Sequence, residues 1–413
     1  MFEVIYRRDN CRGCEGLELE LVLSLKPSPI GDAYVKYENI NNVQPNYPID
    51  LYQCKSCGLA QLIDVIDPEI LYGEYLYVTG SSSGLSEHFQ AYADRIIERC
   101  ELQLGALVVD LGSNDGTMLG CFKKRGMSVI GVEPAKHIAD KATAIGVTSI
   151  SKFFSVDLAN EIATEYGFAK IITANNVFAN IDNLMSWVSG INNLLAEDGV
   201  FIFESYYLAD LVQNLVFDFI YHEHLSSFSV KPIQAIFQRS GLELVAVERV
   251  STKGGSLRYY VQRPGGPIAK DGTVMEMLEF EERIGIYRKE TFVAFAHKIN
   301  RLKMKTINLL SEAKSKGKTI VGFGASITGT TLIYHFEIGK YLDYLVDDNQ
   351  AKQGRFSPGL HLPVYAASML VERKPDYVII LAWRFAKEII SKNHEYVKAG
   401  GQFLIPIPDV ILC

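Results

Sequence analysis

The stretch Ala106-Leu-Val-Val-Asp-Leu-Gly-Ser-Asn-Asp-Gly116 decides the fold, because a continuous apolar run passes directly into a turn that contains glycine. A run of this kind is typical of a strand that is buried on both faces of a parallel sheet. Similar runs follow at 128–132, 170–174 and 200–204, and a helical stretch separates each run from the next. The alternation predicts a parallel α/β sheet whose crossover connections are right-handed.

A second α/β series lies near the end of the chain. Residues 318–324 predict a strand that leads into a glycine turn, and 341–346 and 376–381 predict two further strands. Residues 271–316 are rich in charge, helical in period and free of proline. We therefore expect a connecting pair of helices between two Rossmann-like halves.

Size and charge exclude several classes of protein. At roughly 150 residues per domain, a chain of 413 residues is expected to form two or three domains. The formal charge of −7 creates no positive field that would attract nucleic acid or an anionic membrane. No apolar run approaches the roughly 18 residues of a membrane span, and the first ten residues do not resemble an export signal. We expect a soluble, cytoplasmic monomer that binds neither nucleic acid nor a membrane.

Four of the seven cysteines occur in two Cys-x2-Cys pairs, Cys11 with Cys14 and Cys54 with Cys57. Two such pairs present four thiolates, the ligand set of a closed, tetrahedral, structural Zn²⁺ site. An odd number of cysteines in a large chain without an export signal disfavours a disulfide framework. The alternative is two unrelated pairs of buried thiols. A structural zinc would stabilise a small N-terminal domain that has little core of its own.

The turn after the first parallel strand predicts the cofactor. Its spacing, Asp110-x-Gly112-x-x-x-Gly116, differs from the Gly-x-Gly-x-x-Gly fingerprint of dinucleotide-binding proteins. Glu133 ends the next strand, where an acidic side chain can accept hydrogen bonds from ribose hydroxyls. Ribose recognition without a diphosphate loop indicates S-adenosylmethionine rather than NAD. A helix cap or a loop tie is the alternative role for Asp110.

The segment Tyr221-His-Glu-His224 contains two of the eight histidines. It is not His-Glu-x-x-His, which disfavours a zinc protease site. On an extended segment, His222 and His224 would share one face, with Tyr221 and Glu223 on the other. Imidazole can take up a proton near neutral pH, so both histidines are candidate bases. The alternative is a polar loop whose groups satisfy one another by hydrogen bonds.

Together with Gly80-Ser-Ser-Ser83, Gly254-Gly-Ser-Leu-Arg258 and Lys352-Gln-Gly-Arg355, these motifs resemble the C-methyltransferases of deoxysugar biosynthesis, in order over nearly the whole chain. The resemblance implies an enzyme that uses S-adenosylmethionine to methylate C-3 of a nucleotide-linked, typically dTDP-linked, 4-keto-6-deoxyhexose through an enolate. It also implies three domains. These are a zinc-binding domain (1–75), a Rossmann-like methyltransferase domain (76–265) and a second Rossmann-like α/β domain (266–413) that helps to bind the sugar nucleotide.

The same resemblance implies roles for single residues. His224 would be the base, with His222 as a competitor, and Tyr221 and Glu223 would shape the site or stabilise the enolate. The cofactor pocket would comprise Asp110, Gly112, Asn114, Gly116, Glu133, Phe153, Phe154, Ala174, Asn175 and Asn176. Candidates for the sugar nucleotide are Tyr75, Tyr77, Ser81, Ser83, Asn176, Arg258, Lys352 and Arg355.

Alternatives stay open for several of these residues. The two phenylalanines could be core residues on a strand, and each cation could be a solvated surface residue. Phe178 stands where some relatives carry a histidine, which puts an acid–base role of that loop in doubt. For the whole chain, the alternatives are an S-adenosylmethionine-dependent O- or N-methyltransferase of the same fold, and a zinc-bearing scaffold that has lost catalysis.

Overall fold

A computed structural model describes residues 4–72, 79–81 and 84–413 of the chain. The N-terminal part is mainly antiparallel sheet. Its elements are β1 (Ile5–Arg7), β2 (Leu19–Ser28), β3 (Tyr47–Cys54), β4 (Ala60–Leu62), β5 (Asp64–Ile66) and α1 (Pro68–Tyr72).

The middle part alternates helices and strands as expected. Its elements are α2 (Leu85–Arg99), β6 (Leu107–Leu111), α3 (Thr117–Lys124), β7 (Ser128–Val132), α4 (Lys136–Ala144), β8 (Ser149–Ile150), α5 (Val156–Tyr166), β9 (Ala169–Thr173), α6 (Leu184–Leu194), β10 (Leu195–Tyr206), α7 (Leu208–Gln213), β11 (Ser226–Ser227), α8 (Val230–Arg239), β12 (Glu243–Val250) and β13 (Ser256–Gln262).

The last part repeats the alternation. Its elements are α9 (Thr273–Ile284), α10 (Lys289–Ser315), β14 (Ile320–Phe323), α11 (Ile327–Phe336), β15 (Tyr344–Val346), β16 (Val364–Tyr365), α12 (Met369–Arg373), β17 (Tyr377–Ile380), α13 (Ala386–Lys392), α14 (His394–Lys398), β18 (Gln402–Ile405) and β19 (Ile411–Leu412). The predicted connecting pair of helices is confirmed as α9 and α10.

The central sheet has seven strands in the order β12-β13-β10-β9-β6-β7-β8. Strands β6 to β10 are parallel, and β13 and β12 join antiparallel at one edge. Every residue of β6 is buried, Asp110 included, which agrees with its mainly apolar sequence. Because β7 lies on one side of β6 and β9 on the other, the strand order reverses at β6, and ligands bind beyond the carboxyl ends at such a point.

The C-terminal sheet has six strands in the order β16-β15-β14-β17-β18-β19, all parallel except β19. The predicted α/β architecture with two Rossmann-like sheets is therefore confirmed. The proposed domain limits stay predictions, and the boundary at 75/76 lies outside the described residues. Among the described residues, no helix is both long and apolar enough to cross a lipid bilayer.

The N-terminal sheet includes a strand from the middle part of the chain. Its order is β2-β3-β4-β11, and β11 pairs antiparallel with β4 through Ser226 opposite Gln61 and Ser227 opposite Ala60. Next to this pair, the backbone N–H of Leu62 donates to the carbonyl of Leu225 at 2.9 Å. The small N-terminal sheet thus holds the chain directly after His224.

The four paired cysteines meet in one cluster. Their Sγ atoms all lie within 4.8 Å of one another, with Cys11 to Cys57 at 3.6 Å and Cys14 to Cys54 at 3.5 Å. A disulfide requires about 2.05 Å between sulfurs. Tetrahedral ligands at about 2.3 Å from Zn²⁺ are separated by roughly 3.8 Å, so the cluster matches a zinc site much better than paired disulfides.

Loss of the metal is expected to destabilise the N-terminal sheet and the strand β11 that pairs with it. Cys54→Ser should lose bound zinc and lower Tm by on the order of 10 °C, because structural zinc contributes several kcal/mol of folding free energy. Metal analysis and thermal unfolding of the full chain measure both effects. Cys100→Ser, a cysteine outside the cluster, is the matched control. Full zinc content and an unchanged Tm in Cys54→Ser would contradict the site.

Candidate active site

A cavity of about 530 Å³ lies at the carboxyl ends of the central strands. Gly112 follows β6, Glu133 follows β7, and Asn175 and Asn176 follow β9, and all four line this cavity. The volume falls within the roughly 300–1,000 Å³ of small-molecule sites. The cavity therefore occupies the position at which an open α/β sheet binds its ligand.

Seven of the ten predicted cofactor residues line this cavity, and the order of the strands brings them together. They are Gly112, Asn114, Glu133, Phe153, Phe154, Asn175 and Asn176.

Glu133 shapes the turn after β6. Its carboxylate accepts hydrogen bonds from the backbone N–H groups of Asn114 at 3.0 Å and Ala135 at 2.8 Å. Burial raises the pKa of this carboxyl. Each carboxylate oxygen has two lone pairs, so Glu133 can hold the turn and also accept a hydrogen bond from a ligand hydroxyl.

Strained backbone surrounds the same cavity. Gly112 has a φ of +76°, and a β-carbon there would lie 2.4 Å from Val177 Cγ2, so only glycine fits. Asn114 and Asn176 adopt left-handed φ angles of 49° and 58°. Non-glycine residues in this region persist where the surrounding structure enforces them, and they concentrate at functional sites.

The other three predicted cofactor residues, Asp110, Gly116 and Ala174, are not among the described residues that line the cavity. Asp110 accepts a hydrogen bond from Thr173 Oγ1 at 2.7 Å and so links β6 to β9. Burial raises the pKa of Asp110 to about 7. This geometry corresponds to the structural alternative of a tie rather than to direct contact with a ligand.

The two phenylalanines do not lie on a strand, so that part of the alternative is wrong, although Phe154 does belong to the hydrophobic core. Both follow β8 in an irregular loop, because the chain leaves the sheet edge there and crosses towards the cavity. Phe153 is half exposed, whereas Phe154 is buried with its ring 5.1 Å from that of Trp187. Trp187 also lines the cavity, and sequence reasoning missed it because its only signal was an ordinary apolar position on α6.

The segment 221–224 is a turn, so the expected extended conformation is wrong. The backbone N–H of His224 donates to the carbonyl of Tyr221 at 2.8 Å, which places the two rings 4.0 Å apart. A bond between residues three apart folds the chain back, whereas the expected alternation of side chains requires a straight strand. Tyr221 and His224 therefore face each other instead of lying on opposite sides.

The hydrogen bonds of His224 define its tautomer. Nδ1 lies 2.7 Å from the carbonyl oxygen of Phe219, which can only accept, so Nδ1 carries the proton. Nε2 is then an acceptor, and the Tyr221 hydroxyl donates to it at 2.9 Å. Burial, with a smaller contribution from the Lys253 cation, lowers the pKa of His224 to about 3. The imidazole is therefore neutral and keeps one lone pair for a proton.

His222 and Glu223, which lie between Tyr221 and His224, have different surroundings. His222 Nε2 lies 3.3 Å from the carbonyl of Tyr47 in the N-terminal part, and burial lowers the pKa of His222 to about 4. Burial and the charge of Asp32 raise the pKa of Glu223 to about 8, although Lys352 and Lys253 oppose the shift. No residue of 221–224 belongs to the described lining of the large cavity.

The cationic residues predicted to bind the sugar nucleotide lie in two separate places. Arg258 is buried, pairs with Glu204 at 2.6 Å and stacks 4.3 Å from the Tyr92 ring. Lys352 is also buried; it pairs with Asp32 and donates to the carbonyl of Ala325 at 2.8 Å. The alternative of a solvated surface cation is therefore wrong for both.

The remaining candidates are described only in part. Arg355 donates to the carbonyl of Tyr34 at 3.4 Å, close to the partner of Lys352. Tyr75, Tyr77 and Ser83 lie outside the described residues, as does the side chain of Ser81. Asn176 lines the cavity.

Comparison with known proteins agrees with this arrangement. Residues 11–72 match the family model "Putative zinc binding domain", 85–247 match "Methyltransferase domain" and 251–408 match "C-methyltransferase C-terminal domain". The C-methyltransferase NovU of Streptomyces niveus is 32% identical over 410 residues, which are 99% of this chain and 98% of that protein.

Two solved structures each resemble somewhat less than half of the chain. The PH0226 protein of Pyrococcus horikoshii OT3 has 13% identity and a TM-score of 0.37, over 46% of this chain and 97% of that one. Magnesium protoporphyrin IX methyltransferase of Synechocystis PCC 6803, solved with bound SAH, has 13% identity and a TM-score of 0.34, over 43% and 83%.

The full-length match sets aside the O- or N-methyltransferase and the non-catalytic scaffold. The four-cysteine cluster is the zinc site of the chain, and S-adenosylmethionine is its cofactor. The chain belongs to the family of S-adenosylmethionine-dependent C-methyltransferases, in which a zinc-binding domain, a methyltransferase domain and a C-methyltransferase C-terminal domain follow one another along the sequence.

Proposed function

We propose that this enzyme methylates C-3 of a nucleotide-linked 4-keto-6-deoxyhexose, with dTDP as the nucleotide, through an enolate that His224 generates. The observation that carries the proposal is the state of His224: a buried, neutral imidazole whose Nδ1–H is held by the Phe219 carbonyl, so that Nε2 is the proton acceptor. Carbon is a poor nucleophile until a proton next to a carbonyl is removed. A C-methyltransferase therefore needs such a base, whereas a hydroxyl or amine nucleophile needs less activation.

The reaction divides into two steps. Nε2 of His224 accepts the C-3 proton, the electrons of the C–H bond form the C-3 to C-4 double bond, and the carbonyl electrons move to the C-4 oxygen. Bound S-adenosylmethionine would supply the methyl group to the enolate carbon, and the electrons of its sulfur–methyl bond would stay on sulfur. Because Tyr221 donates to Nε2 in this structure, its hydroxyl has to move aside when the substrate C–H bond approaches.

On the cofactor side, Glu133 and the turn that it holds would bind the ribose and the adenine end of S-adenosylmethionine, with Phe153, Phe154 and Asn175 on the same lining. The C-terminal part would bind the nucleotide through Lys352 and Arg355, whose contacts with Asp32 and Tyr34 place them against the N-terminal part. Charge-assisted hydrogen bonds from such cations suit a diphosphate.

Glu133→Gln is expected to raise KM for S-adenosylmethionine by about 10- to 100-fold with a smaller effect on kcat. An amide cannot accept from both the Asn114 and Ala135 N–H groups and also bind a ribose hydroxyl, and each charge-assisted hydrogen bond is worth about 1.5–3 kcal/mol. Steady-state kinetics at saturating sugar nucleotide measure the effect. The control is Glu197→Gln, an exposed carboxylate on β10. An unchanged KM would remove Glu133 from the cofactor site.

His224→Gln is expected to lower both C-3 hydrogen exchange without methyl donor and methyl transfer by about 10²- to 10⁴-fold, because the general base is gone. Binding of S-adenosylmethionine, measured by calorimetry, should persist. His222→Gln is the matched control: a second buried neutral histidine, two residues away, whose nitrogen contacts only the Tyr47 carbonyl among its described partners. Exchange lost in His222→Gln but retained in His224→Gln would reverse the assignment.

The pH dependence of kcat/KM should differ from that of an ordinary histidine base. His224 stays neutral down to a pH of about 3, so activity should not fall near pH 6.5. Glu223, with a pKa of about 8, is protonated below that pH and negative above it. A carboxylate beside the base opposes a developing enolate, so kcat/KM should fall above about pH 8.

Glu223→Gln, which stays neutral throughout, should remove the decline above pH 8. Profiles of both proteins from pH 5 to about 9.5 provide the measurement. An acid limb centred near 6.5, or an alkaline limb that is identical in the variant, would contradict these assignments.

A further inference from the structure

Lys253 connects the cofactor cavity with the surroundings of His224. It lines the large cavity, whose lining also includes Asn176 and Asn180, and it lines a small recess whose other walls include Tyr206 and Phe219. The rings of Tyr206 and Phe219 lie 4.7 and 5.8 Å from that of His224. The lysine thus borders both the place where the sulfonium would bind and the aromatic cluster that encloses the base.

The backbone of Lys253 is left-handed, with φ 57° and ψ 23°, in the short turn Thr252–Gly254 between β12 and β13. This conformation is unfavourable for a residue with a β-carbon, because the β-carbon lies too close to the following carbonyl oxygen. Such strain persists only where neighbouring contacts enforce it, and it concentrates at functional sites.

Three hydrogen bonds hold this turn in place. Ser256 Oγ donates to the Thr252 carbonyl at 3.0 Å, Asn214 Nδ2 donates to the Gly254 carbonyl at 3.2 Å, and the Tyr207 N–H donates to the Gly255 carbonyl at 3.1 Å.

Steric fit limits the turn further. A β-carbon on Gly255 would lie 2.5 Å from Asp210 Oδ2, and one on Gly254 would lie 3.2 Å from Arg384 Cδ. The two glycines let the chain pass between these side chains, so the position of Lys253 is tightly specified.

The charge of Lys253 acts on two groups of the proposed catalytic turn. It adds to the lowering of the pKa of His224 and opposes the rise in the pKa of Glu223. Burial is the largest cause of both shifts. A buried imidazole of low basicity returns its proton readily. The anion that it generates therefore needs an opposite charge nearby, and in a site of low dielectric constant such a charge acts strongly.

We propose that the Lys253 ammonium stabilises the enolate oxygen at C-4 of the sugar, from the moment His224 removes the C-3 proton until the methyl group is transferred. This inference rests on the enolate reaction proposed above and adds its electrostatic partner. The electrons of the broken C–H bond end on the C-4 oxygen beside the ammonium, and they return to form the carbonyl as the new carbon–carbon bond forms. Lys253 itself keeps its protons throughout.

The test separates proton removal from methyl transfer. Deuterium incorporation at C-3 of a dTDP-4-keto-6-deoxyhexose is followed in D2O without methyl donor, for the zinc-loaded full chain and for Lys253→Met and Lys253→Arg. Methionine keeps the β-carbon and an unbranched side chain that is one heavy atom shorter, so the left-handed backbone is strained equally in the variant. Lys298→Met, an exposed lysine on α10, is the surface control.

We expect Lys253→Met to lower exchange and methyl transfer alike by about 10²- to 10³-fold, the usual loss when one oxyanion-stabilising group is removed. The Kd for S-adenosylmethionine should stay within threefold, and Lys253→Arg should regain at least tenfold of the lost exchange because it retains the charge. Lys298→Met should behave as the wild type, and equal Tm values establish that the variants fold.

Other results would overturn the inference. If Lys253→Met exchanges C-3 hydrogen within threefold of the wild type, the lysine does not stabilise the enolate. A loss of cofactor affinity with exchange intact would instead make Lys253 a ligand of the methionine carboxylate. If the wild type forms product but never exchanges C-3 hydrogen, the enolate reaction itself fails, which is a different outcome from failure of the lysine alone.

Discussion

The backbone pairing between β4 and β11 is the constraint on which the catalytic turn depends. It joins a strand that begins three residues after Cys57 to one that begins two residues after His224. The carbonyl of Leu225, between the turn and β11, accepts from the Leu62 N–H at 2.9 Å and from Arg12 Nη1 at 3.1 Å. The zinc cluster includes Cys54, the last residue of β3, and Cys57, which lies between β3 and β4, so metal, sheet and catalytic turn form one connected unit. A closed structural metal site can in this way influence chemistry that it does not touch.

The C-terminal part reaches the same turn from the opposite direction. Asp218 is fully buried and accepts from Trp383 Nε1 at 3.0 Å and from Arg384, whose guanidinium also lies 4.4 Å from the Phe219 ring. The carbonyl of the next residue, Phe219, holds His224 Nδ1. A buried ion pair often adds little net stability, because desolvation offsets the Coulombic gain. We therefore interpret this pair as a device that positions the base between two parts of the chain.

Burial determines the chemistry available at the centre. It keeps His224 and His222 neutral and raises the pKa of Glu223, so the groups nearest the proposed reaction carry little charge. In such surroundings an anion formed during the reaction meets few competing charges and little water. The charge of Lys253, on a rigid turn close to these groups, then has a large effect, which is the physical basis of the role proposed for it.

Much of the architecture follows from local order along the chain. The strand β7 has the predicted limits, 128–132, and β6 and β9 lie within one residue of the predicted strands, because a short, mainly apolar run is sufficient to specify a buried strand. The cysteine pairs likewise identify a metal site before any fold is known, since each pair supplies two ligands from one turn. The glycine turn and Glu133 locate the cofactor cavity because the turn follows β6 and Glu133 follows β7, two strands that are consecutive in sequence and adjacent in one sheet.

Other features depend on residues that are far apart in the sequence. The turn at 221–224 forms between Phe219 and the strand that the N-terminal sheet captures, so alternation along the segment could not reveal it. Arg258 looks like an available cation until folding places Glu204 against it. Lys253 has no motif of its own. Composition and spacing therefore specify the strands, the metal ligands and the cofactor turn, because neighbours in sequence encode them. Long-range packing decides the rest. It determines which nitrogen of His224 accepts a proton, it pairs Arg258 with Glu204, and it places Lys253 beside the aromatic rings that enclose the base.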